Sequence, residues 1–412
     1  MRYDFDTKIS TDRSSSAKWR EMLNHNSRLG AEIVPLSVAD MEFRNPPEVI
    51  EALRDFLKET TLGYAAPTEA YYDACLAWQK RRHGWLPERR SLVPTAGIVS
   101  AIFNAVRSLT EPGDGIIIQP PVYRPFRLSI QKNGRRLVEN PLKIIEAQDG
   151  THRYEMDFDD LEAKAADPNT KMLILCSPHN PVGRVWSAEE LRRLLDACLE
   201  HDVIVVCDEI HDDLIMPGHE HAAIMCVADA GEYDRLLICT AASKTFNLAG
   251  CQSSAIYIPD QQLRERFCEG LDQVAQGGGL NAFAYVSTTA AYTRCDEWLD
   301  QLITYVQENY NFLKGYLARF LPSVEVYPME GTYLAWVDFR SWGLSSSELE
   351  SFMREDALLF LDEGHVFGTG GSGFERFNLA CPRSVLGDSL ERLVLATNTR
   401  GIPSTTRGIP ST

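Results

Sequence analysis

Four short apolar runs, GIIIQ (115–119), MLILC (172–176), VIVVC (203–207) and LLICT (236–240), constrain this chain more than any other feature of it. Each is too short for a buried helix and too evenly apolar for a strand with one wet face, so each reads as a strand covered on both sides. Between the second and third lies SAEELRRLLDACLEHD, where Ser187 can cap a helix and Glu190 can close a capping box. Leu191, Leu194, Leu195 and Cys198 then fall at i, i+3, i+4 and i+7, a single apolar stripe. Strand, helix, strand makes a parallel crossover, and several in succession make a doubly wound α/β sheet. From about 288 to 320 helical patterns dominate, and strand-like VEVYP, YLAWVDF and RFNLAC follow. That shift predicts a second, smaller α+β domain at the C-terminal end, joined by an irregular arm made of roughly the first 45 residues.

A chain of 412 residues suits one large domain plus a smaller one. Its 41 basic and 58 acidic side chains give a net charge of −17 with no basic block, so nucleic acid and anionic membrane are poor partners. No apolar run approaches the ~18 residues of a membrane span. The start, MRYDFDTKISTDRSSSAKW, lacks the apolar centre of a secretory signal. Ten cysteines lack C-x-x-C spacing, and Cys176, Cys207 and Cys239 sit in strand-like runs. They read as buried reduced thiols of a cytoplasmic protein rather than a metal site or a disulfide framework. TRGIPST at 399–405 repeats at 406–412, too short a unit for a solenoid, and reads as a disordered tail or an expression scar.

In parallel sheets, ligands sit beyond the carboxyl ends of the strands. After GIIIQ comes PPVYRPF with Tyr123, and after MLILC comes SPHNPVG with Asn180. After VIVVC comes DEIH with Asp208 and His211, and after LLICT comes AASK with Ser243 and Lys244. Singly, each has an ordinary reading: loop packing for Tyr123, a turn at Asn180-Pro181, a cap for Asp208, solvent for Lys244. Together, on one edge, they match pyridoxal phosphate. An amine forms the Schiff base, and desolvation among small neighbours lowers a lysine from its usual ~10.4. A buried carboxylate keeps the pyridine nitrogen protonated, so that the ring accepts an electron pair. The Tyr123 ring can stack on the pyridine, and Asn180 and His211 can hydrogen-bond the phenolic oxygen. In LVPTAGIVSAIFNAV a strand, a small turn at Thr95-Ala96-Gly97-Ile98 and a helix follow one another. Amides at that helix start suit a phosphate, with Ser243 as a hydroxyl donor. GTGGSG (368–373) looks like a nucleotide loop, but the FERFNLAC after it reads as a strand, so a flexible loop near the pocket is expected instead.

From about residue 4 to 397 the chain resembles fold-type I pyridoxal-phosphate enzymes, the aspartate aminotransferase superfamily, and within it the MalY/PatB group of cystathionine β-lyase-like C–S lyases. The resemblance rests on DFDTKISTDRSSSAKW, SVADMEF, LGYAAPTEAYYDA, PTAGIVSAI, PPVYRPF, SPHNPVGRVW, CDEIHDDL, SKTFNLAG and RFNLACPRS. It implies an α/β fold with a mostly parallel seven-stranded sheet in a large cofactor-binding domain (48–288). Residues 1–47 with 289–397 would form the arm and a small α+β domain, leaving 398–412 as the repeated tail. It implies that Lys244 carries the cofactor and shuttles protons, that Asp208 pairs with the pyridine nitrogen, that Asn180 contacts the phenolic oxygen and that Tyr123 stacks on the ring. Ala96, Gly97, Ile98 and Ser243 would hold the phosphate. Arg376 would clamp the substrate α-carboxylate, a task suited to a bidentate guanidinium, with Ala39 and Asn180 beside it. Tyr64 would reach the phosphate of the neighbouring subunit's cofactor, which implies a homodimer with shared sites. Arg383 is expected in an ion pair within the small domain.

Two positions depart from the wider superfamily. Gln252 stands where many members carry a phosphate-binding arginine, and His211 stands where a tyrosine is common, as is usual in the C–S lyase group. The implied reaction is α,β-elimination of cystathionine or a related cysteine S-conjugate to a thiol, pyruvate and ammonia. Transamination shares the steps up to the carbanion and stays open, as does a regulatory binding role. Specificity is expected from loops near 276–281 and 364–373 and from the N-terminal arm.

Overall fold

The structure is a computed structural model that describes residues 2–9, 15–30, 32–147, 150–274 and 279–402. Residues 403–412 of the repeated tail and 276–278 of the expected specificity loop lie outside the described residues. Thirteen strands are described. Seven form one sheet: β1 (Leu92–Thr95), β2 (Gly115–Ile118), β3 (Arg136–Glu139), β6 (Thr170–Cys176), β7 (Ile204–Asp208), β8 (Leu236–Thr240) and β9 (Ser254–Tyr257). A hairpin of β4 (Lys143–Glu146) and β5 (His152–Glu155) stands apart. The remaining four are β10 (Glu325–Val326), β11 (Leu334–Asp338), β12 (Asp362–Glu363) and β13 (Phe374–Asn378), an antiparallel sheet of order β10-β11-β13-β12.

All four apolar runs are central strands of the seven-stranded sheet, whose order is β1-β9-β8-β7-β6-β2-β3. β3, β2, β6, β7 and β8 pair in parallel, while β9 runs antiparallel to both β8 and β1. Alternation along each strand splits the side chains between two cores. Ile116, Ile118, Ile174, Val206 and Leu237 pack on one face under the helices Ile98–Leu109 and Gln261–Gln273. Ile117, Leu173, Leu175, Val205 and Ile238 pack on the other, against Leu191, Leu194, Leu195 and Cys198 of helix Ala188–Leu199. That helix carries the expected capping box: Glu190 N donates to Ser187 Oγ and Ser187 N donates to Glu190 Oε2.

From β2 the chain moves outward to β3, whereas from β6 it moves the other way through β7, β8 and β9. The direction reverses between β2 and β6, the kind of switch point where α/β sheets open a ligand crevice. Helix Asp296–Phe320 packs against β10 of the second sheet and against helix Arg383–Arg400. The N-terminal segment, read as irregular, contains a helix at Ala17–His25. It is tied to the second sheet's neighbourhood where Leu36 N donates to Phe360 O and Asn378 N donates to Leu36 O. All ten thiols are free; seven, including Cys176, Cys207 and Cys239, are buried, and Cys226 is exposed. Among the described residues no helix is long and apolar enough to cross a membrane.

Candidate functional site

A cavity of about 380 Å³ opens at the carboxyl ends of the parallel strands, within the range of about 300–1,000 Å³ usual for small-molecule sites. Asp208 is the last residue of β7 and is 2% exposed; its Oδ1 accepts from Ile210 N at 3.2 Å. Lys244 sits one turn past β8, in the short helix Ala242–Thr245, and its Nζ donates to Ala39 O at 2.6 Å. Tyr333 Oη donates to that same carbonyl at 2.9 Å, which fixes the segment 38–40 above the amine. Asn180 follows β6, and its Oδ1 accepts from Arg376 Nη1 at 2.7 Å. Tyr123 follows β2, and Ala96, Gly97 and Ile98 form the entry to helix Ile98–Leu109. Gly97 has φ +106°, a conformation that L side chains resist, so this turn calls for glycine; its own N–H donates to Thr95 O at 2.8 Å.

Every sequence-predicted residue except Tyr64 lines this one cavity: Ala39, Ala96, Gly97, Ile98, Tyr123, Asn180, Asp208, His211, Ser243, Lys244 and Arg376. Tyr64 is fully exposed on the outer surface. Gln252 also lines the cavity, at φ +52°. Arg383 departs from expectation. It donates through Nε to Asn309 Oδ1 at 2.6 Å and lies over the Phe312 ring, with no ion pair among the described residues. An amide and a ring satisfy it where a carboxylate was expected. The GTGGSG segment leads into strand β13, as its reading against a nucleotide loop required, and Gly368 and Gly370 pack near Pro120 and Pro121 ahead of Tyr123.

Sequence reasoning passed over Asp362 and Val38. Asp362 Oδ2 accepts from Arg376 Nη2 at 2.5 Å and from Val38 N at 2.8 Å, and both residues line the cavity. Register explains the first contact, because Asp362 on β12 is paired with Arg376 on β13. An acid inside the apolar stretch LLFLDE was the available signal. Val38 has φ +58° and is held by Asn378, whose Nδ2 donates to Val38 O at 2.7 Å and to Asp40 O at 2.6 Å.

Burial governs the electrostatics. It lowers Lys244 from 10.5 to about 8, opposed by the Asp40 charge and assisted by that of Arg376. It raises Asp208 to about 7, opposed by the Ile210 amide and the charge of Lys244. It raises Tyr123 to about 12, with Asp208 adding to the effect. His211 is held well below 6.5 by burial and by the charges of Lys244 and Arg376, so it is a neutral imidazole, and its buried Nδ1 has no hydrogen-bond partner among the described residues. An amine near neutrality, a sequestered carboxylate, an aromatic ring and helix-start amides can together hold an aldehyde-bearing, phosphorylated heterocycle. The orphaned His211 Nδ1 and Arg376 Nε leave polar groups in and beside the cavity for such a ligand and its substrate to satisfy.

The profile of the class I and II aminotransferase family matches residues 31–393, and the chain belongs to that family. Within it, the chain is 43% identical over 365 residues to the cystathionine β-lyase PatB of Bacillus subtilis, covering 89% of this chain and 92% of that one. The structure of cystalysin from Treponema denticola, which contains a pyridoxal 5'-phosphate cofactor, is similar at a TM-score of 0.93 and 44% identity, covering 97% of this chain and 100% of that one. The PLP-bound C–S lyase of Staphylococcus hominis is similar at a TM-score of 0.87 and 31% identity, covering 96% and 98%.

Proposed function

We propose that this chain is a pyridoxal-phosphate-dependent C–S β-lyase that cleaves cystathionine or a related cysteine S-conjugate to a thiol, pyruvate and ammonia. The observation that carries this reading is the meeting of Lys244, Asp208 and Arg376 on one cavity at the switch point of the sheet. When bound, pyridoxal phosphate supplies an aldehyde that joins an amino group and a ring that draws off the electron pair left at the substrate α-carbon.

The protein's own groups do the rest. Lys244 Nζ would hold the cofactor and, once free, take the proton from the substrate α-carbon, work suited to an amine with a pKa of about 8. The Asp208 carboxylate would keep a proton on the ring nitrogen. Asn180 and the neutral His211 would hydrogen-bond the phenolic oxygen, and the Tyr123 ring would stack on the cofactor. The amides of Ala96 and Ile98, at the turn that Gly97 shapes, would hold the phosphate with the Ser243 hydroxyl, and Gln252 would be an additional neutral donor there. Arg376, backed by Asn180 and flanked by the Ala39 segment, takes the α-carboxylate and turns the Cα–H bond toward Lys244.

We further infer a homodimer in which Tyr64 reaches the partner's cofactor phosphate. The full exposure of Tyr64 beside exposed Leu62 supports this. Residues 48–288 would form the cofactor-holding domain, and 1–47 with 289–397 the smaller one; the seven-stranded sheet falls in the first range and β10–β13 in the second. Ten free thiols fit the cytoplasm. Incubation of the purified holoenzyme with cystathionine tests the activity: pyruvate and free thiol should appear in equal amounts. Amino transfer to an added keto acid without thiol release would contradict the lyase reading.

A further inference from the structure

Arg376 is already engaged by a carboxylate of its own chain. Asp362 Oδ2 takes Arg376 Nη2 at 2.5 Å and Val38 N at 2.8 Å, while Asn180 Oδ1 takes Arg376 Nη1. A guanidinium N–H and a main-chain N–H converging on one oxygen form a carboxylate site, and here Asp362 fills it. The occupant is built in by register, since β12 places Asp362 across from Arg376. The second donor is built in by a left-handed residue, Val38, whose carbonyl Asn378 holds. The site borders the cavity, because Asp362, Val38 and Arg376 all line it. The Asp362 side chain is 23% exposed, so it has room to move, whereas that of Arg376 is 4% exposed.

We propose that Asp362 is a specificity-determining residue: an internal competitor for the carboxylate subsite that selects zwitterionic amino acids over simple carboxylates and keto acids. Arg376 and Asp362 together are a neutral pair. A ligand that brings a carboxylate alone must push Asp362 aside and leave its negative charge without a partner in a confined cavity, which is costly. An amino acid brings an ammonium as well, and the displaced carboxylate regains a cation. The filter therefore acts against the pyruvate formed by elimination and against other free keto acids that meet the resting holoenzyme. In this way one side chain limits binding of the product without touching the reacting atoms. This rests on the reading of Arg376 as the α-carboxylate clamp.

The test is calorimetric binding of pyruvate, and of the non-reacting amino acid 2-methylalanine, to the holoenzyme and to its Asp362→Asn, Asp362→Ala and Arg376→Ala forms. In both Asp362 variants pyruvate should bind at least about tenfold more tightly while 2-methylalanine changes less than about threefold. If pyruvate affinity is unchanged, or if both ligands weaken together, Asp362 merely orients Arg376 and the proposal is wrong. Arg376→Ala should weaken both ligands in the same assay. Were it to leave both unaltered, the clamp itself would be misassigned and the inference would fall with it, a pattern distinct from failure at Asp362 alone. Asp362→Asn keeps the side chain's size and an acceptor for Val38 N, so it separates loss of charge from loss of folding.

Discussion

Lys244 owes its reactivity to where β8 ends. One turn beyond a fully buried strand it sits in the cavity wall, where burial disfavours its charge, and the Ala39 carbonyl meets its Nζ. Its pKa near 8 predicts that the cofactor-free protein captures pyridoxal phosphate faster as pH rises, with an inflection near 8. Stopped-flow absorbance between pH 6 and 10 checks this; an inflection near 10.5 would mean a solvated amine. Asp208 should matter to turnover more than to binding. Asp208→Asn should keep much of the cofactor but lose about 10²–10³ in turnover, the usual scale for removing one preorganised electrostatic partner. The residue scale is also where the sequence was most legible. Lys244, Asp208, Asn180 and Tyr123 each follow an apolar run, and strand ends are positions that a linear reading can find. Asp362 was not, because its importance comes from pairing with a residue on a neighbouring strand.

At the scale of elements, short-range signals carried through and long-range ones did not. The helix at Ala188–Leu199 was written in Ser187, Glu190 and a four-residue stripe. Ser187→Ala should cost about 1 kcal/mol of stability, seen as a lower denaturation midpoint with unchanged activity. The direction of β9 could not be read, since SAIY is buried on both faces like the parallel strands of the same sheet and pairing direction is set by the connection rather than by composition. The β4–β5 hairpin was missed although Asp149-Gly150, a turn dipeptide, stands between KIIE and HRYE, because both strands are short and half-exposed and lack clear apolar alternation. The helix Ala17–His25 hid in a polar segment whose buried side chains, Lys18, Trp19 and Met22, are fixed by distant partners. Lys18 is paired with Asp40 and Glu42, so the arm is held by charge as well as by packing.

At the scale of the whole molecule, a second buried charge group sits behind the site. His83 Nε2 lies 2.9 Å from Asp213 Oδ1 and 3.3 Å from Asp212 Oδ2, and Asp213 also accepts from Trp78 and Thr245. Burial alone would lower the His83 pKa, but Asp212 and the hydrogen bond with Asp213 outweigh it and raise it from 6.5 to about 9. A folded-state pKa above the unfolded one gives stability that is complete below about 6.5 and is lost as pH rises through about 9. The melting temperature should therefore fall by several degrees between pH 7 and 9.5, and His83→Gln should flatten that dependence. An unchanged slope in the variant would place the titration elsewhere. The arrangement of two sheets around one cavity was legible in outline, because the shift from buried parallel strands to helices and then to short strands marks it in the sequence. The meeting of Asp362, Val38 and Arg376 was not, since it joins residues more than 300 positions apart.

The account stands on the bond between the cofactor and one lysine. Borohydride reduction of the purified holoenzyme, followed by digestion and mass spectrometry, should put one reduced pyridoxal phosphate on the peptide that carries Lys244, and Lys244→Ala should leave that peptide and every other unlabelled. A label on a different lysine, or none on the intact protein, would contradict it.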